Sequence, residues 1–113
     1  MDSTLLLTIG RATVLFDSIK SNEIVMLKLK ISINGCIEAL ESYQDLSIEG
    51  ESLVIESVLM AVDGAQDAVK KVSGRSRIGS LIKRGADRKL IIDAIEVMNT
   101  ALDSLKLKIT LAN

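Results

Sequence analysis

Leu105-Lys106-Leu107-Lys108-Ile109-Thr110-Leu111 alternates apolar and polar residues strictly, and Leu27-Lys28-Leu29-Lys30-Ile31-Ser32-Ile33 nearly repeats it. The fold turns on how these two stretches are read. A period of two marks a half-buried strand, and two such segments could pair. Both, however, lie inside a helical pattern. Leu90, Ile91, Ala94, Ile95, Met98, Ala101, Leu102, Leu105 and Ile109 recur at helical spacing. Met26, Leu29, Ile33, Ile37 and Leu40 do the same around the other stretch. An isolated pair of strands is also only marginally stable in water. Helix is therefore predicted for both.

Working outward, four helical segments emerge. Residues 4–20 carry Leu5, Ile9, Ala12, Phe16 and Ile19 on one face, with Ser3 as an N-cap and Asp2 near the positive helix end. Residues 23–43 carry the Met26–Leu40 stripe, capped by Ser21 or Asn22. Ile24, Leu27 and Ile31 are expected beside it, widening the buried face. Residues 48–72 carry Leu53, Val54, Val58, Met60, Ala61, Val62, Ala65, Ala68, Val69 and Val72, and Ser73-Gly74 reads as a stop. Residues 86–111 form the last helix, with Asp87 in its first turn. The fold class is all-α, an up-and-down four-helix bundle in one domain spanning residues 1–113. A basic loop, residues 74–85, joins the third and fourth helices. The expected core includes Ile33, Ile37, Leu40, Val58, Ala65, Leu90, Ile95, Met98, Leu102 and Leu105.

Composition agrees and narrows the chemistry. The 113 residues are 48% hydrophobic, yet Phe16 and Tyr43 are the only aromatics, and Pro, Trp and His are absent. Such a core is aliphatic, and no Pro interrupts a long helix. Without His, imidazole catalysis and His metal ligation are excluded. The single Cys36 cannot form an internal disulfide, and its place between Ile33 and Ile37 reads as a small buried residue. Glu56, Asp63 and Asp67 fall seven and four residues apart, which reads as a solvated acidic face. Gly74 to Gly79 lacks phosphate-loop spacing. No enzyme, cofactor, metal site or small-molecule substrate is expected. Nor is a secretory leader or a conventional transmembrane span.

Charge is segregated along the chain. Residues 1–69 hold 4 basic and 11 acidic residues. Residues 70–89 hold 8 basic residues (Lys70, Lys71, Arg75, Arg77, Lys83, Arg84, Arg88, Lys89) against Asp87 alone. The near-neutral total hides a basic connector on an acidic body. Such a run can be a solvated surface, or it can bind anions. Each cation near an anionic leaflet adds on the order of 1 kcal/mol. No aromatic lies in the run to stack on bases, which argues against nucleic acid.

Residues 69–95, from Val69-Lys70-Lys71-Val72 through Arg75, Arg77, Lys83, Arg84, Arg88 and Lys89 to Ile95, join a helix end, a basic apolar-spotted connector and a charged helix start. With two long helices before it and a Leu/Ile stripe after it, the chain resembles, over nearly its whole length, the N-terminal four-helix bundle of mixed-lineage kinase domain-like proteins. The HeLo-like cell-death domains of fungi are a related group. The resemblance implies a cytoplasmic signalling module that forms homo-oligomers. It would bind anionic phospholipid headgroups through the basic residues, and damage or permeabilise the plasma membrane. Leu5, Leu6, Val14 and Phe16 are then candidates for membrane insertion, or for core packing. In some fungal and plant proteins such a module precedes a kinase or nucleotide-binding sensor, so the alternative is an adaptor or oligomerisation bundle without membrane activity.

Overall fold

A computed structural model describes residues 3–46, 53–75 and 84–112. They form four helices: α1 Ser3–Ser18, α2 Ile24–Asp45, α3 Leu53–Arg75 and α4 Arg84–Ala112. Both alternating stretches are helical, as their flanking pattern requires. In a helix, alternation splits apolar residues between two faces. Leu29 and Ile33 are buried, whereas Ile31 is 72% exposed; Leu105 is buried, whereas Leu107 and Leu111 are exposed.

The expected wide face of α2 is therefore corrected. Ile24, Leu27 and Ile31 point to solvent, because they lie opposite the Leu29–Ile33–Cys36–Leu40 stripe on the helix circumference. On α3, Leu53 and Met60 are also exposed, and the buried seam is Ile55, Val58, Val62, Ala65 and Val69. Its 3–4 spacing is the two-position seam of a bundle helix. Of the expected core, Ile33, Leu40, Val58, Ala65, Met98, Leu102 and Leu105 are buried, while Ile37, Leu90 and Ile95 are half-buried against it.

Helix ends differ from expectation in detail. Glu23, extended at φ −63° and ψ 141°, holds the N-cap position of α2, and Ser21 acts two residues earlier: its Oγ accepts the Glu23 N–H at 3.1 Å. Helix α3 runs through Ser73-Gly74 to Arg75, and α4 begins at Arg84, so the basic segment is helical at both margins. Residues 76–83, the middle of the expected loop, lie outside the described residues, as does residue 48, the expected start of the third helix.

The helices stand in a square. Helix α1 packs on α2 and α3, and α4 packs on α2 and α3; α2 and α3 meet only marginally across one diagonal. The turn of residues 19–23 makes α1 and α2 antiparallel. Ser32 Oγ donates to Asn99 Oδ1 at 2.8 Å, and Gly35 faces Leu102. Both contacts advance three residues together, so α2 and α4 run parallel. Val54, near the start of α3, lines one surface hollow with Leu107 and Leu111, near the end of α4, so that pair is antiparallel. Directions thus alternate as an up-and-down bundle requires, while the order around the square is α1–α2–α4–α3. The bundle is 48 × 21 × 21 Å, about the length of its 29-residue α4.

Besides Ser32, Thr8 and Cys36 bring polar atoms into this core. Thr8 is fully buried and donates its hydroxyl to the Thr4 carbonyl at 2.6 Å. Cys36 is buried, and its thiol is pushed up from 9.0 to about 11 by burial, with Lys106 pulling weakly the other way. It is a neutral apolar filler at physiological pH.

Gly64 lies inside α3, and a Cβ there meets nothing within 4 Å. Gly64→Ala should stabilise the fold by roughly 0.5–1 kcal/mol, because alanine loses less backbone freedom on folding. A thermal melt checks it: an unchanged or lowered midpoint would show that this face of α3 is already occupied.

Candidate functional site

Helix directions decide where the cations go. The C-terminal ends of α1 and α3 and the N-terminal ends of α2 and α4 share one end of the bundle. Lys70, Lys71, Arg88 and Lys89 all lie there with exposed side chains. Arg75 closes α3 and Arg84 opens α4, placing their backbones at the same end. Arg77 and Lys83 lie outside the described residues. Every described member of the charged run is therefore collected at one pole.

The pole also holds cations that a linear count assigns to the acidic body. Lys20 follows α1, and Lys28 and Lys30 sit in the first two turns of α2. The cue was the brevity of the break at residues 19–23, which folds α2 back beside α1. Lys30 places its Nζ 4.4 Å from the Phe16 ring centroid, a cation–π contact. Asp17, Glu23 and Asp87 are acidic residues near this pole, and Asp93 and Glu96 of α4 stand level with Lys28 and Lys30, because residues 32 and 35 of α2 face residues 99 and 102 of α4. The opposite pole carries Glu38, Glu41, Asp45, Glu56 and Asp103, with Lys106 and Lys108 among them. The bundle is electrically polar along its long axis.

The four insertion candidates separate. Leu5 is buried in the core, and Phe16 is half-buried beneath Lys30. Leu6 and Val14 are exposed at 48% and 62%. They line a shallow groove of about 790 Å³ between α1 and α3 with Leu7, Gly10 and Arg11, and with Asp63, Gln66 and Asp67 opposite. Arg11 Nη1 bridges both Asp63 oxygens at 3.0 and 2.8 Å. The pair is solvent-exposed, so it contributes at most about 1 kcal/mol. Asp67 has no ion pair among the described residues. Glu56, Asp63 and Asp67 do not converge, and no group of three or more metal-ligating side chains occurs among the described residues. No described helix is long and apolar enough to cross a membrane.

Comparison with protein-family models, characterised proteins and solved structures finds no match for this chain.

Proposed function

We propose that this chain is a non-enzymatic signalling bundle of the cell-death or immune type, which self-associates and meets anionic membrane surfaces with its basic pole. The observation that carries the proposal is the convergence of cations from α2, α3 and α4, and of Lys20 just after α1, on one end. Lys70, Lys71, Arg88 and Lys89 face solvent there, beside Lys20 and Lys28. At about 1 kcal/mol per cation near an anionic leaflet, half of these acting together give a useful affinity. The resemblance to the mixed-lineage kinase domain-like bundle points the same way, toward peripheral recruitment at the cytoplasmic face of the plasma membrane. Nucleic acid is a poorer fit, since Phe16, the aromatic at this pole, is half-buried under Lys30 and offers no open stacking face.

The adaptor alternative draws on the opposite charges of the two poles, which suit docking between proteins without any membrane. Vesicle co-sedimentation separates the two. The chain should bind vesicles containing phosphatidylserine or phosphoinositide and leave pure phosphatidylcholine vesicles in the supernatant. Binding should weaken with salt, as the Debye length shrinks from about 10 Å at 0.1 M to about 3 Å at 1 M. Equal binding to both vesicles shows that the basic pole is not an electrostatic reader, and binding to neither removes the membrane function and leaves the adaptor.

A further inference from the structure

We infer that the outer face of α2 in one copy seats in the α1–α3 groove of a second copy, a head-to-tail contact that gives the self-association proposed above its physical form. Ile24, Leu27 and Ile31 follow 3–4 spacing on α2 at 72%, 41% and 72% exposure, an apolar ridge with no partner inside the chain. The groove offers the counterpart. Leu7 and Val14 are 46% and 62% exposed and lie seven residues apart, the same interval as Ile24 and Ile31. Each ridge is thus two turns long, about 10.5 Å.

Between Leu7 and Val14 lies Gly10, whose Cβ position meets nothing within 4 Å. No contact within the chain requires glycine there, and in mid-helix it is less favourable than alanine by roughly 0.5–1 kcal/mol. The open space at this notch leaves room for a second backbone to approach. Charge selects the pairing. Lys28 lies within the α2 ridge, and Asp67 flanks the groove, neither with an ion pair among the described residues. Ridge on ridge would oppose Lys28 to itself, and groove on groove would oppose Asp67 to itself. With Asp63 held by Arg11, the groove keeps one carboxylate unpaired among the described residues, Asp67, and the ridge one such ammonium, Lys28, so ridge in groove sets opposite charges together.

The two surfaces are different patches of the molecule. The ridge faces outward from the α2 corner, and the groove lies on the far side of α1, between α1 and α3. The contact is therefore heterologous, and repeats into a ring or an open chain.

Two surface variants and their mixture test this without lipid, so that the outcome is independent of membrane binding. One carries Leu27→Glu and Ile31→Glu, the other Leu7→Glu and Val14→Glu; circular dichroism melts verify that each folds. In sedimentation velocity at low salt, the parent should grow in mean mass with concentration. Each variant should stay monomeric. Their equimolar mixture should form a species of two chains and stop, because one intact ridge meets one intact groove. A parent that stays monomeric up to about 1 mM overturns the inference. So do variants that associate like the parent, or a mixture that stays monomeric while the parent grows. If the parent is monomeric and the α2 variant loses vesicle binding, the ridge faces lipid instead, and the membrane proposal stands while this one falls.

Discussion

Replacing Lys70, Lys71, Arg88 and Lys89 together by Glu is expected to abolish sedimentation with anionic vesicles while leaving the fold intact. The four side chains are exposed and lie at one pole of the bundle. Losing four cations at about 1 kcal/mol each removes roughly 4 kcal/mol, about a thousandfold in partitioning. The four new carboxylates then add repulsion from the leaflet. Stability should change little, because the helix dipoles oppose one another across the set. Lys70 and Lys71 lie just before the last turn of α3, where the dipole field has weakened, so acidic replacements there cost at most about 0.3 kcal/mol each. Arg88 and Lys89 lie near the positive start of α4, where acidic replacements gain a similar amount. Lys106→Glu with Lys108→Glu, at the opposite pole, is the control and should bind as the parent does. If both variants lose binding equally, net charge alone governs the interaction. If the first variant still binds, the pole is not the contact surface.

This experiment rests on a feature that linear reading shows only in part. The charged run at residues 70–89 is plain in the sequence, as is the helical spacing that makes the chain all-α. The addition of Lys20, Lys28 and Lys30 to the same pole is not, because a count along the chain ignores that α2 folds back over α1. Period-two stretches hide a second fact. Once the flanking 3–4 stripe shows that residues 27–33 form a helix, the alternation itself requires that Leu27 and Ile31 leave the core when Leu29 and Ile33 enter it. Their exposure is therefore legible in the alternation, which sets them opposite the buried stripe and does not widen it. The order of helices around the square had no such signal. An apolar stripe says that a helix is buried on one side, and nothing about which neighbour covers it. That α2 lies beside α4 rests on Ser32 with Asn99 and Gly35 with Leu102, pairs 67 residues apart whose types carry no mutual pattern.

Gly35 and Leu102 also give the strongest test of that order. Leu102 is 7% exposed in the core of α4, and Leu102→Ala should cost roughly 2–5 kcal/mol through lost burial and a cavity. That is a large part of the about 5–15 kcal/mol typical of such a domain. Across the interface, a Cβ on Gly35 would stand 3.0 Å from the Leu102 Cδ2. In α2, Gly35→Ala gains about 1 kcal/mol of helix propensity. Against this, crowding a packed methyl costs about 1–3 kcal/mol. The single variant should therefore be neutral to destabilising by about 2 kcal/mol. In the Leu102→Ala background the sign reverses. The crowding is gone, the propensity gain remains, and the new methyl fills part of the cavity. The double variant should be more stable than Leu102→Ala alone by at least about 1 kcal/mol. Urea titrations of the four proteins give the coupling, expected at about 1–3 kcal/mol, within the range for residues in direct contact. Costs that simply add would place α2 and α4 out of contact at this level. The parallel pairing of those helices, and with it the placing of Lys28 at the same pole as Arg88 and Lys89, would fall with them.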